Sequence, residues 1–386
     1  MVVKQQLIKL IKKNKKLFLV AKALRFLQTS SFSKIDGSNK KYPKVIQLPI
    51  TYNCNSKCVM CNIWKMDHSN EMTVEEFATF MKDDIFKEVE AVGINGGEPS
   101  LVPNLPEYIK EVLTLPKLKS LNIISHGFSQ KPLLKSLEEI YKMCKEKKIN
   151  FHVLISLDGV GEIHNTVRGK TNVFEKTSST IDEIMNNQYK YCDSLELGCT
   201  IVKQNINYLI ELDTYAKMKN YNLKFRLGIE NKRIESDKLK EQYSVIYSPL
   251  KQNAKEFFHY QMSQTKDFAN RFKYYSIFSW LNSEKPKRIL GCMWKEEGIT
   301  LDARGELYYC AVASNSLGSL RKEKGEKIFF DDKNIGYRKS IINNNCDGCI
   351  HDYTGKAEFK NVWKFLVDTL KDKLAMRIYK IKIRFL

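Results

Sequence analysis

Long apolar runs are what this sequence lacks first. No eighteen consecutive residues of its 386 are apolar, which excludes a helix of the length and hydropathy needed to span a bilayer. Acids are scarce as well: 44 Asp and Glu face 64 Lys and Arg, a formal charge of +20, and no acid precedes Asp36. That deficit favours anionic partners, whether phosphorylated molecules, nucleic acid or an acidic membrane face. A secretory leader is not evident, because the short apolar stretch LFLVAKAL is broken by Lys22 and followed by Arg25. Internal sequence repeats and low-complexity tracts are absent. Also missing is the cysteine pattern of a small secreted disulfide framework, for which this chain is too long. Seven of the ten cysteines instead fall into two motif-like sets, which points to metal ligation in a reducing cytoplasm.

What is present is a strand–helix rhythm. Residues 1–30 read as a basic amphipathic helix, with Leu7, Leu10, Ile11, Leu17 and Val20 near the helical period. Two roles stay open for it: packing on the rest of the protein, or contact with an acidic membrane face. A linker leads to the strand candidates KVIQLPI, AVGIN, SLNIISH, FHVLISLD, SLELGCTIV and LKFRLGI, separated by helical patterns such as KPLLKSLEEIYKMCKEKK. Six such units predict an α/β fold with a parallel sheet and crossover helices. Chemistry in such arrangements gathers at the C-terminal strand ends. Cys54 follows the first strand, GGEP the second, Ser125 and His126 the third, and Ser156 and Asp158 the fourth. The expected segments are 1–43 (helix and linker), 44–230 (the βα units), 231–290 (helical connector), 291–355 (a cysteine-bearing region) and 356–386 (helix and basic tail).

Cys54, Cys58 and Cys61 crowd three thiols into eight residues. Such a set suits a metal or an iron–sulfur cluster. Zinc usually takes four ligands, and only His68 offers a nearby fourth. This C-x3-C-x2-C spacing after the first strand resembles the signature of the radical S-adenosylmethionine enzymes. The resemblance covers about residues 44–230 and implies a partial (β/α)6 barrel. It also implies a [4Fe–4S] cluster on the three cysteines, whose open iron chelates the methionine end of S-adenosylmethionine, and formation of a 5′-deoxyadenosyl radical.

Gly96, Gly97, Glu98 and Pro99 form GGEP, where two glycines permit close backbone approach and a carboxylate can accept from an ammonium. In the family this segment binds the methionine amino group. ISLDGVGEIHNTVRG is similar to the S-x-D-G…H-x-x-x-R stretch of the subgroup with extra clusters. That likeness implies Ser156 near the ribose and Arg168 at the methionine carboxylate, with Asp158 supporting the site and His164 structural. Ile201 opens the segment where family members pack adenine; a generic strand end is the competing reading.

Cys292, Cys310, Cys346 and Cys349 form the second set, with ITLDARGELYYC read as a hairpin turning at ARGE. Four thiolates suit structural zinc, and spacing alone leaves that open. The order, with Gly305 five residues before Cys310, resembles the twitch domain, a shortened relative of SPASM, and implies one auxiliary [4Fe–4S] cluster, two in the chain. The expected architecture is therefore the partial barrel plus a small C-terminal cluster-binding domain of hairpin and helices. Cys144 and Cys192 read as packing residues. Cys199, Arg226 and Glu230 are the substrate-contact candidates, although the latter two can equally pair with Lys232 or Arg233.

A fully ligated auxiliary cluster can accept an electron, which suits oxidation of an alcohol carbon. The resemblance therefore implies an oxidoreductase acting on a saccharide or cyclitol alcohol, and the positive charge with the two basic apolar termini leans toward a phosphorylated or lipid-linked one. The resemblance also implies a reducing partner such as flavodoxin or ferredoxin; cysteine usage points to the cytoplasm, and the two basic apolar termini to peripheral contact at the inner membrane face, with packing of both against the barrel as the competing reading. Nucleic acid is not the expected partner. Peptide maturation is the alternative, weakened by the absence of room for a winged-helix module in the 43 residues before the first strand. A non-catalytic electron-transfer protein is the third reading, and it has no need of Glu98, Ser156 and Arg168 at successive strand ends.

Overall fold

The computed structural model describes residues 14–28 and 41–384. The expectations for residues 1–13 and for most of the linker lie outside these. Two compact units emerge, one of residues 36–254 and 294–346, the other of 1–35, 255–293 and 347–386.

In the first unit β1 (Val45–Pro49), β2 (Ala91–Asn95), β3 (Ser120–Ser125), β4 (Asn150–Ser156), β5 (Ser194–Ile201) and β6 (Leu223–Leu227) pair in parallel in chain order. Their residues alternate between two faces. Ile46, Val92, Ile94, Leu121, Ile123, Val153, Ile155 and Leu197 are buried. On the other face Gln47, Asn122, Ser156, Thr200 and Arg226 are partly open. Crossover helices connect the strands. Val74–Met81 begins with a capping box, Thr73 accepting from the Glu76 N–H while the Glu76 side chain accepts from the Thr73 N–H. This is the parallel α/β sheet expected from the rhythm.

Beyond β1 the sheet continues. β7 (Gly298–Leu301) pairs parallel with β1, and β8 (Glu306–Tyr308) and β9 (Gly318–Ser319) follow antiparallel, giving nine strands in the order β6-β5-β4-β3-β2-β1-β7-β8-β9. The hairpin thus extends the barrel sheet. Its turn sits one residue earlier than ARGE: the Gly305 N–H donates to the Asp302 carbonyl at 3.1 Å, and Gly305 takes the φ of +83° that the turn requires. Asp302 sets this position, because its Oδ1 accepts from the N–H groups of Arg304 and Glu306, both at 2.9 Å.

The second unit holds helices Lys15–Gln28, Phe268–Leu281 and Phe359–Arg384. Phe26 and Phe365 both pack on Phe268 and Phe272, with ring centroids 5.4–5.5 Å apart. Lys22 reaches Asp267, whose side chain caps Phe268–Leu281 through the Asn270 N–H. The chain's last stretch, readable from sequence as helix or short strand, is helix to Arg384.

Candidate functional site

The loop bearing Cys54, Cys58 and Cys61 leaves β1 and is gripped from two sides. On one side GGEP runs beside it: the Gly97 N–H donates to the Thr51 carbonyl at 2.6 Å and the Glu98 N–H to the Asn53 carbonyl at 2.9 Å. A Cβ on Gly96 would stand 2.4 Å from the Thr51 oxygen, and one on Gly97 2.0 Å from the Asn53 oxygen. Both glycines are therefore needed for the approach of the cysteine loop itself. On the other side lies the end of helix Glu162–Arg168. The Lys57 N–H donates to the Arg168 carbonyl, the Val59 N–H to the Val167 carbonyl, and Ser56 Oγ to the Arg168 carbonyl. Gly169, at φ +62°, would place a Cβ 2.2 Å from the Lys57 oxygen.

The acidic groups here are committed. Glu98 is buried; its Oε1 accepts from the Ser100 N–H at 3.1 Å and Ser125 Oγ at 2.7 Å, and its Oε2 from the His126 N–H at 2.9 Å. Asp158, also buried, accepts from the Thr200 N–H through Oδ1 at 2.7 Å and pairs through Oδ2 with the Arg168 guanidinium. Arg168 Nη1 in turn stands 3.6 Å from Cys58 Sγ. His164 accepts the Asp158 N–H on Nδ1 at 3.1 Å and is buried, which keeps the ring neutral. Burial pulls His126 down to about 4, against an upward pull from Glu98.

Ser156 pairs in register with Gly198, on the open face of the sheet. Gly198 makes room there for a neighbour, since a Cβ would lie 2.6 Å from Arg226 Nη2. Glu230 carries a buried Oε1 with no hydrogen-bond partner. Cys199 and Ile201 are buried on the helix-covered side, in step with Leu197. Cys144 and Cys192 are buried too.

Several residues were invisible in sequence. Glu71 braces the start of the cysteine loop by accepting from Thr51 Oγ1 at 2.8 Å and from the Tyr52 N–H. Asn205 donates to the Asp158 and Thr200 carbonyls, each at 2.9 Å, and accepts from the Val202 N–H. Asp302 Oδ2 accepts from Tyr52 Oη at 2.6 Å, so the β7–β8 turn reaches the loop. All three are common polar residues, marked out only by long-range contacts.

The thiols fit a group that binds thiolates. Burial pushes Cys54 and Cys61 up to about 12, and the neighbouring Cys58 adds to the upward push on both. A cationic group offsets that cost. Among the described residues no three His, Cys, Asp or Glu groups are gathered closely enough to hold a single metal ion. Two buried oxygens beside GGEP, Asn95 Oδ1 and Ser100 Oγ, have no hydrogen-bond partner.

The second cysteine set is divided between the units: Cys310 and Cys346 belong to the sheet unit, Cys292 and Cys349 to the helical one. In the sheet unit the Val312 N–H points at Cys310 Sγ, 3.5 Å away. In the helical unit the His351 N–H lies 3.4 Å and Arg288 Nη1 3.7 Å from Cys349 Sγ. Arg288 also donates to the carbonyls of Leu290, His351 and Tyr353, tying the two cysteine-bearing segments of that unit. N–H donors aimed at sulfur suit thiolate ligands.

Residues 48–213 match the Radical SAM superfamily. Over that segment the chain carries a Radical SAM domain. Members use a [4Fe–4S] cluster and S-adenosylmethionine, and the three-thiol loop fits that pair. Among curated proteins, a GTP 3′,8-cyclase of Campylobacter jejuni subsp. doylei is 29% identical over 203 residues, 51% of this chain and 59% of that protein. The corresponding enzyme of Aliarcobacter butzleri is 23% identical over 327 residues, 80% of this chain and 92% of its own. Against several of these curated relatives the chain spans little more than half their length, 56–59%. Among solved structures, native anSMEcpe with bound AdoMet superposes with a TM-score of 0.58 at 18% identity, over 86% of this chain and all of that one. Streptococcus suis SuiB bound to precursor peptide SuiA gives 0.55 at 15%, over 78% and 67%. These radical SAM likenesses, at such identities, establish the fold.

Proposed function

We propose that this radical SAM protein cleaves S-adenosylmethionine reductively and oxidises an alcohol carbon of a saccharide or cyclitol, phosphorylated or lipid-linked. One observation carries the reading: the three-cysteine loop is gripped between GGEP and the Arg168–Gly169 turn, with Arg168 beside Cys58. Cys54, Cys58 and Cys61 would hold the first [4Fe–4S] cluster. When bound, it and S-adenosylmethionine supply a 5′-deoxyadenosyl radical. Cys292, Cys310, Cys346 and Cys349 would hold a second cluster, which supplies an electron acceptor.

The chain's own groups do the positioning. Glu98 holds the GGEP backbone, from Gly96 to Pro99, for the methionine amino group. Arg168, already balanced by Asp158, offers charge toward the carboxylate, and Ser156 lies on the open face for the ribose. Backbone at Ile201 closes the adenine end. Arg226 and Glu230 are proposed for the substrate; Cys199, on the helix-covered side, is left out. The radical so supplied would take the hydrogen atom of the alcohol carbon, the hydroxyl would give its proton to a base, and the cluster on Cys292, Cys310, Cys346 and Cys349 would supply the acceptor for the remaining electron, leaving a ketone. A small reduced protein such as flavodoxin or ferredoxin would supply the first electron.

A nucleotide is the second reading. Relatives named GTP 3′,8-cyclase favour it, and Lys224 and Arg226 on β6 add positive charge.

Anaerobic reconstitution tests the proposal. Two clusters predict about eight irons per chain. With a strong reductant and S-adenosylmethionine the protein should release 5′-deoxyadenosine. Replacing Cys54, Cys58 and Cys61 with Ala should leave about four irons and abolish release. Zinc in the wild-type protein with a single cluster's iron would remove the electron acceptor. Turnover above background with GTP rather than sugar phosphates would select the second reading.

A further inference from the structure

We propose that the helical unit docks on an anionic membrane surface through helices Lys15–Gln28 and Phe359–Arg384. Both helices have apolar side chains that their packing leaves uncovered. Leu17, Val20 and Leu24 are 49%, 56% and 57% exposed. They stand three and four residues apart, so they form one stripe. The inward side of that helix is a different one: Phe26 is the residue that meets Phe268 and Phe272. On the last helix Trp363 and Leu370 are 59% and 60% exposed, two turns apart on one face, while Val362 and Phe365 are buried. Exposed aliphatics scattered singly are ordinary, but these lie in stripes on the two terminal helices of one unit.

Charge selects the occupant. Lys15–Gln28 contains no acid, and exposed Lys16 and Arg25 flank its stripe. Phe359–Arg384 has only Asp368 and Asp372 against a succession of Lys and Arg. Asp368 is taken by Tyr275 Oη at 2.5 Å, while Lys364 and Lys371 are exposed. A second copy of the same basic surface would be repelled. An apolar stripe flanked by lysine and arginine, with an exposed indole, is instead the composition that lies in a headgroup layer. Attraction grows with each basic residue near anionic lipid and fades with salt.

Vesicle sedimentation of the full-length, cluster-loaded protein tests this, with pure phosphatidylcholine vesicles against vesicles containing phosphatidylglycerol. Wild-type protein should pellet with the anionic vesicles at low salt, and much less with neutral vesicles or at high salt. Leu17→Ser/Val20→Ser/Leu24→Ser should bind at least about tenfold more weakly while keeping its iron and helix content. Trp363 supplies a second readout. Its emission should shift to the blue on vesicle addition, and Trp363→Phe should lose that shift. Wild-type protein remaining in the supernatant with anionic vesicles at low salt overturns the proposal. So does unchanged binding by the triple variant together with an unshifted Trp363. A dimer that the triple variant abolishes, with no vesicle binding, would assign the stripes to a second copy and overturn it as well.

Discussion

Glu98 spends its acceptors on the protein before any ligand arrives. Ser100, Ser125 and His126 all donate to it, so it aligns the ends of β2 and β3 and holds GGEP against the cysteine loop. Glu98→Gln turns one acceptor oxygen into a donor and leaves a buried N–H or hydroxyl facing it, a penalty of about 1–3 kcal/mol. The variant should keep its iron, unfold at lower denaturant and bind S-adenosylmethionine more weakly by at least about 1 kcal/mol in anaerobic calorimetry. Unchanged stability and affinity would show that Glu98 does not organise this segment. The sequence marked Glu98 as part of a motif, but two of its three partners lie 27 and 28 residues away and follow from strand pairing.

At the scale of elements, the cysteine loop keeps its shape through neighbours that lack side chains. Gly97→Ala would press a Cβ into the Asn53 backbone, and Gly169→Ala would press one into the Lys57 backbone at a left-handed φ. Neither obstacle can rotate away. Each variant should lose the first cluster, lowering iron from about eight to about four per chain, with loss of the electron paramagnetic signal that responds to S-adenosylmethionine. Gly336→Ala, with nothing within 4 Å, is the control and should keep all its iron. Retention of iron by both loop variants would mean that the loop tolerates displacement. Gly96 and Gly97 were legible as glycines with a purpose. Gly169 was not, because its φ and the facing carbonyl belong to a chain segment over a hundred residues away.

For the whole molecule, buried neutral histidines set the response to acid. His126 titrates near 4 when folded against 6.5 unfolded, held down by burial and by Arg168 and Lys170, and partly lifted by Glu98. His164 is also held well below 6.5. A depressed histidine contributes stability that is complete above about 6.5 and disappears as pH falls toward 4, because the unfolded chain binds the proton first. Unfolding midpoints should therefore drop between pH 7 and pH 5, and His126→Gln should flatten part of that drop. An equal drop in the variant would remove His126 from the account.

Local chemistry was enough for the sheet, since the alternation of apolar residues, turn residues and helical periods acts over a few positions. It also exposed the first cysteine set, because its three thiols sit within one loop. The same local rules placed the hairpin turn one residue late and gave no sign that β7 would extend the barrel sheet beside β1. Nor could they predict that Asp158 and Arg168 would neutralise each other, that Asn205 would hold Asp158, or that Arg226 would lie over Gly198. Those outcomes depend on pairing between segments far apart in the chain, where each buried polar group must find a partner that only the folded arrangement brings near.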